Sequence, residues 1–307
     1  LDMLGDYLTE LEVLPVWRVN GPEGPFELAS LIRHCIARYG VGRVRRWRFE
    51  LPIDERYGLR RQALKSLDDG LNVGVALGLS KLRRFLQDQE ADFVTVCGAP
   101  DAGQFQQARR ALTASGRALP LHWDAVRAAY GMDDALHMAL RLAQLHLADT
   151  LPAESLTLSS FSGLCNEGAY MIDAYGVQQP SGHAYRMLSA LGDTELSRGP
   201  GWVTTQNEQG RICALAWTDP SNPLSLSLSG FRPGSRVMAE TLDASHGWAY
   251  PVWRQMGCPE VLSRYQAQAL RYAALHTDVS WHQADLQGRL EWRLPGPTDA
   301  LVLLKEN

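Results

Sequence analysis

Six short apolar runs, each separated from the next by a helical pattern, restrict the first 190 residues to parallel βα architecture. The runs are Val13 to Val19, Val44 to Leu51, Leu71 to Leu77, Asp92 to Cys97, Leu119 to Trp123 and Ser155 to Ser160. Between them, Phe26 to Tyr39 places Leu28, Leu31, Ile32, Cys35 and Ile36 on one face, with Gly40 at a helix C-cap position. Leu59 to Leu67, Leu82 to Gln89, Phe105 to Leu112 and Asp133 to Asp149 also read as helices, with Asp133-Asp134 as an N-terminal cap, and Leu1, Leu4, Leu8 and Leu11 keep helical spacing. Such units form either an open doubly wound sheet or a closed barrel. No strand is followed by a glycine-rich phosphate turn; Gly98-Ala99-Pro100-Asp101 lacks the spacing. A barrel is therefore expected, although closure usually takes eight strands.

Beyond about residue 191 the texture changes. Trp202 to Thr205, Ile212 to Trp217, Leu224 to Leu228, Leu290 to Leu294 and Leu301 to Leu304 are short, partly alternating runs bounded by Gly, Pro, Asn and Asp. This pattern predicts an antiparallel β-sandwich over 192–307, interrupted by a helical insertion at about Pro259 to Leu275, after a barrel domain over 1–191.

A chain of 307 residues with 45% hydrophobic content can bury one large core or two medium ones. A net charge of −4 without long single-sign blocks gives no reason to expect direct nucleic-acid binding. The basic stretch Arg43, Arg45, Arg46 and Arg48 reads as a solvated helix end. Five widely spaced cysteines (Cys35, Cys97, Cys165, Cys213, Cys258) argue for a reducing, cytoplasmic setting and against a disulfide framework or zinc site. No apolar run is long enough for a membrane span, and no metal or other cofactor is expected. The chain begins at Leu1, so a missing signal peptide carries no weight.

Three stretches together resemble glycoside hydrolase family 39, the β-xylosidase and α-iduronidase group. Leu31 to Gly40 followed by Val44 to Glu50 is similar to its helix leading into the acid/base strand. Gly176 to Pro180 with His183 to Leu188 resembles its post-barrel helix. Trp253-Arg254-Gln255-Met256-Gly257-Cys258-Pro259 resembles its W-x-x-M-G-x-P motif. The resemblance implies a (β/α) TIM-type barrel and a β-sandwich. It also sets Leu1 to Val19 against the second helix and third strand, so the first two βα units look absent. Either the sequence lacks an upstream segment, through truncation or loss, or a partner segment or subunit completes the wall.

The same resemblance marks where chemistry should sit. Retaining glycosidases hold two carboxyl groups about 5 Å apart, one an acid and one a nucleophile. The Trp-Asn-Glu-Pro ending of the acid/base strand reads Pro52-Ile53-Asp54-Glu55, so Asp54 takes the acid/base position with a shorter side chain and Ile53 replaces the sugar-binding Asn. The Thr-Glu-Trp of the nucleophile strand reads Leu121-His122-Trp123, and the H-x-Y after the sixth strand reads Cys97-Gly98-Ala99. Asp124 shares a strand face with His122 and could pair with Asp54 in a displaced arrangement, with His122 as base. Glu50, of the same parity as Asp54, reads as a buried structural carboxylate. Trp17, Trp123 and Trp202 are either core or sugar-stacking residues. The candidate ligand-binding set is Asp54, His122, Trp123, Asp124, Trp17 and Asn20. His34, His137 and His146 lack metal spacing.

The loss of both expected Glu residues leads to the expectation of a catalytically dead carbohydrate-binding or sensor module. Similar modules form C-terminal parts of AraC-type transcription regulators, in which case DNA binding would belong to another segment. An active β-xylosidase-like hydrolase with a relocated carboxylate pair is the alternative, and a scaffold without ligand the third.

Overall fold

The computed structural model describes residues 6, 10, 14–19, 24–98, 102–124, 135–147, 155–157, 171–218, 225–293 and 299–307. By packing, the chain divides into two units: 1–127 with 152–157, and 128–151 with 158–307. The division expected at residue 191 differs from this one, because the last helices of the βα pattern pack in the second unit.

The first unit is a parallel sheet of six strands in the order β1-β2-β3-β4-β5-β6. These are β1 (Val16–Arg18), β2 (Arg48–Leu51), β3 (Asn72–Gly78), β4 (Val94–Cys97), β5 (Leu121–Asp124) and β6 (Ser155–Thr157). The helices between them are α1 (Pro25–Tyr39), α2 (Val41–Val44), α3 (Tyr57–Leu67), α4 (Leu79–Asp88) and α5 (Ala102–Ala114). Pro25 opens α1 at a position where no N–H is needed, and Gly40 ends it at φ 81°, donating to the Ile36 carbonyl at 3.0 Å. Leu28, Ala29, Ile32 and Cys35 are buried on α1, whereas the expected core residue Leu31 is 41% exposed. The run expected as one strand from Val44 begins as α2, because the Gly40 turn lets Val44 and Arg45 donate back to Gly40 and Val41.

Register sorts the strand residues onto two faces. Trp17, Phe49, Val73, Val75, Val94, Val96, Leu121 and Trp123 share one face through direct pairings across the sheet. Apart from the half-buried Trp17 they are almost wholly buried, and Trp123 meets Phe105 of α5 at 4.2 Å between ring centroids. This is the helix-covered side. The opposite face carries Arg18, Arg48, Glu50, Gly74, Thr95, Cys97, His122 and Asp124.

That second face is concave. Arg18 on β1 reaches Asp124 on β5 at 2.6 Å, and Arg48 on β2 reaches Ser155 on β6 at 3.3 Å. In each case four strand spacings intervene, about 19 Å in a flat sheet. Two extended side chains bridge only about 10 Å, so the sheet curls around its polar face.

The second unit is built on an antiparallel sheet ordered β12-β11-β14-β9-β8-β7. Its strands are β7 (Thr194–Gly199), β8 (Trp202–Gln206), β9 (Ile212–Thr218), β11 (Arg236–Asp243), β12 (Asp278–Gln283) and β14 (Ala300–Glu306). A ribbon of β10 (Ser225–Ser229) and β13 (Arg289–Arg293) packs Leu226, Leu228, Leu290 and Trp292 against Ala214, Ala216, Val237, Ala239 and Val302. The other sheet face, with Val203, Leu215, Leu242, Leu301 and Leu303, packs on α6 (Ala135–His146) and α7 (Pro180–Ser189). The expected insertion is the helix α9 (Arg264–Leu275), capped by Ser263, and a further short helix, α8 (Tyr250–Gln255), precedes it.

Strands β7, β11 and β12 were not expected. β7 and β12 are exposed edges with few apolar residues, and β11 is central with a mixed pattern. Among the described residues Cys35, Cys97, Cys213 and Cys258 form no disulfide; Cys165, like Asp133-Asp134, lies outside the described residues. No helix among the described residues is long and apolar enough to cross a membrane.

Candidate active site

The polar concave face of the first unit is organised in two tiers. The upper tier lies at the carboxyl ends of the strands, where barrel-type sheets carry their sites. Arg18 dominates it. Its guanidinium donates from Nε and Nη2 to Glu50 Oε2 at 2.7 and 2.5 Å, and pairs through Nη1 with Asp124 Oδ2 at 2.6 Å. Glu50 is 3% exposed and accepts a second bond from Thr95 Oγ1 at 2.5 Å. Asp124 is fully buried, with Cys97 Sγ 3.7 Å from its carboxylate. Burial disfavours the Arg18 cation, but the two carboxylates outweigh it and raise its pKa above the usual arginine value. Arg18, Glu50, Val19, Pro52, Ala76 and Lys81 help to line a cavity of about 200 Å³ above this tier.

The lower tier holds Arg48, Phe93, His122 and Ser155. His122 Nδ1 lies 2.8 Å from Ser155 Oγ, its ring meets Phe93 edge-on at 5.4 Å, and the Arg48 guanidinium stands 6.0 Å from the Phe93 centroid. Phe93 fits there because Gly74 leaves room; a Cβ at Gly74 would meet the ring at 2.6 Å. Burial, with a smaller contribution from Arg48, lowers the His122 pKa to about 4, so the imidazole is neutral at physiological pH.

Asp54 stands apart. It lies beyond β2 with its side chain 43% exposed, accepting from Arg56 N at 2.9 Å and from Arg60 Nη1 at 2.9 and 2.7 Å. Desolvation acts to raise its pKa, yet the bonds from Arg60 and the Arg56 N–H prevail and hold it below the usual carboxylate range. A low pKa and a fixed partner suit a structural anion at the start of α3, not a proton donor. The structure does not bring Asp54 and Asp124 into one cluster; Asp124 is joined to Glu50.

Of the candidate residues, His122 and Asp124 share the concave face, in different tiers. Trp123 and Trp17 point to the helix side, Trp17 toward Trp47 at 5.9 Å, so neither offers a stacking surface to the carboxylates. Trp202 packs against the sheet core of the second unit. Asn20 lies outside the described residues. Glu50 is the buried, hydrogen-bonded strand carboxylate expected from the sequence, whereas Arg18 carries no such expectation. Both sit in short apolar strands, Val-Trp-Arg and Arg-Phe-Glu-Leu, where a charged residue of the same parity as Thr95 and Asp124 was the available signal.

No family model matches the chain. A β-xylosidase of Geobacillus stearothermophilus is 23% identical over 329 aligned positions, covering 84% of this chain. The chain spans about 65% of the length of that relative. Among solved structures, a monomeric β-xylosidase from Caulobacter crescentus CB15 superposes with a TM-score of 0.70 at 19% identity, covering 92% of this chain and 74% of its own. The GH39 enzyme of Xanthomonas axonopodis pv. citri gives 0.70 at 19%, covering 92% and 72%. An α-L-arabinofuranosidase from Thermotoga maritima gives 0.60 at 12%, covering 100% and 78%. The fold is thus the TIM-like fold shared by GH39 and GH51 enzymes. These similar proteins are glycoside hydrolases, and none is a sensor or regulator. The expectation of a catalytically dead sensor module, drawn from the loss of two Glu residues, is corrected on that ground.

Proposed function

We propose that this chain is a glycoside hydrolase of the retaining type, acting on a β-xyloside-like O-glycosyl bond through a carboxylate pair relocated to Glu50 and Asp124. The carrying observation is that both carboxylates converge on the single guanidinium of Arg18, and that Arg18 and Glu50 line a cavity at the carboxyl ends of the strands. One planar guanidinium holding an oxygen on each side keeps two carboxyls about 5 Å apart, the separation of a retaining pair. The two strands involved, β2 and β5, are those to which the family resemblance assigns the acid/base and the nucleophile.

In this reading Asp124 attacks the anomeric carbon while Glu50, once released by Arg18, serves as the acid that gives a proton to the departing glycosidic oxygen. The carbon–oxygen bond breaks and a glycosyl ester forms on Asp124. Glu50, now a carboxylate, takes a proton from water as that water attacks the same carbon and frees Asp124. Arg18 positions the pair and withdraws from one carboxyl when the sugar enters. Thr95 fixes the Glu50 rotamer. A cavity of about 200 Å³ suits one sugar ring rather than a long chain. The architecture is read in the same way: β1 to β6 as six strands of an eight-stranded barrel, and the antiparallel sheet with its ribbon as two layers of a sandwich.

Hydrolysis of an aryl β-xyloside tests the proposal. Release of the aryl group with retained anomeric configuration is expected, and Glu50→Gln and Asp124→Asn should each lower kcat/KM by about 10²–10⁴-fold, with Asp54→Asn close to wild type. No turnover, or turnover indifferent to both Glu50→Gln and Asp124→Asn, overturns it.

A further inference from the structure

The two edges of the antiparallel sheet in the second unit are built differently. At one edge, β7 is bulged between Glu195 and Ser197, a device that spoils an edge for further pairing. At the other, β12 keeps unbroken register with β11 over all six residues, from Asp278↔Thr241 to Gln283↔Arg236. It contains no Pro, Gly or Lys. Five of its six residues are exposed, among them Val279 at 48% and Trp281 at 56%.

The backbone polarity of that edge follows from one hydrogen bond. Ala284 N donates to Ser235 O at 3.0 Å, continuing the β11–β12 ladder. In an antiparallel pair a residue turns its N–H and C=O to the same side, and the side alternates. Even-numbered residues of β12 therefore face β11, and Val279, Trp281 and Gln283 present their N–H and C=O groups to the open edge.

We infer that β12 is a self-association edge, pairing antiparallel with β12 of a second copy of this chain about a two-fold axis at Ser280. In that register Val279 lies opposite the other copy's Trp281, and each pair exchanges two backbone hydrogen bonds through the groups already turned outward. Asp278 lies opposite the other copy's His282 in a position without backbone bonds, where facing side chains are closest. Both relationships occur twice, so an acid meets an imidazole and an aliphatic meets an indole at each end. A self-complementary patch is what a two-fold interface requires. Leu275 and Leu286, which flank the strand on either side, are also exposed, at 58% and 82%. Shifting the centre to Trp281 places Asp278 opposite Ala284 and loses the acid–imidazole pairing.

The test is the mass of the full chain by sedimentation equilibrium across a concentration series. Wild type should approach twice the chain mass. Val279→Pro, which removes an outward N–H where an edge tolerates proline, should give monomer with unchanged circular dichroism. Asp278→Lys and His282→Asp should each weaken dimerisation by about tenfold or more, and the charge-swapped double variant should restore it. Positions 278 and 282 lie on one strand about 13 Å apart, too far to compensate within one copy, so restoration reads an intermolecular contact. A monomeric wild type, a dimer indifferent to Val279→Pro, or a double variant no better than the singles overturns the inference. So does a monomer whose Trp281 fluorescence is saturably quenched by a xylo-oligosaccharide, which would make the same face a sugar platform.

Discussion

Arg18 of β1 pairs with Asp124 of β5 at 2.6 Å, closing the concave face of a parallel sheet across four strand spacings. Asp124 is fully buried, so this arginine supplies a cation that no solvent can replace. Arg18→Leu should therefore destabilise the first unit by about 3–5 kcal/mol, the cost of removing one partner of a buried ion pair. Urea unfolding of the variant checks this. Combining it with Asp124→Asn should recover part of the loss, because the stranded charge is then gone.

Thr95 donates to Glu50 at 2.5 Å within the same cluster. Thr95→Val keeps the shape and removes the donor, for an expected loss of about 1–3 kcal/mol. On the proposed mechanism it should also lower kcat more than it raises KM. A fall in stability with unchanged kcat would confine Thr95 to a structural role.

His122 makes stability depend on pH in a defined direction. Its pKa falls from an ordinary imidazole value near 6.5 to about 4 in the folded state. Between those values the unfolded chain binds more protons than the folded one. The contribution is therefore fully present above about pH 6.5 and is lost progressively as pH falls toward 4. His122→Asn should flatten the fall in Tm over that window relative to wild type. NMR titration of the imidazole should show it still neutral at about pH 5.

Gly74→Ala should cost about 1–3 kcal/mol, since the new methyl would stand 2.6 Å from the Phe93 ring inside the concave face. The Phe93→Leu background should relieve most of the cost. Equal losses in both backgrounds would show that the strain lies elsewhere.

The strand and helix order of the first unit was legible because each element carries its own period. Val94 to Val96 and Phe49 to Leu51 are apolar at every helix-facing position, and Gly40 marks a helix end by a conformation other residues avoid. Edge strands such as β7 and β12 were not legible. A solvent-exposed strand has no burial period to display, and its pairing is decided by the neighbour it meets.

The candidate site divides along the same line. Sequence alone fixed the parity that places Glu50, Thr95, His122 and Asp124 on one side of their strands, because side-chain direction alternates strictly along an extended chain. It also raised Asp54 to prominence by position in a motif. Only the tertiary structure decided that Asp54 is spent on Arg60 at the start of a helix, and that Arg18 gathers Glu50 and Asp124 from strands far apart. Those pairings depend on how far the sheet curls. Curl is set by the packing of helices and side chains from the whole unit, not by any single stretch of residues.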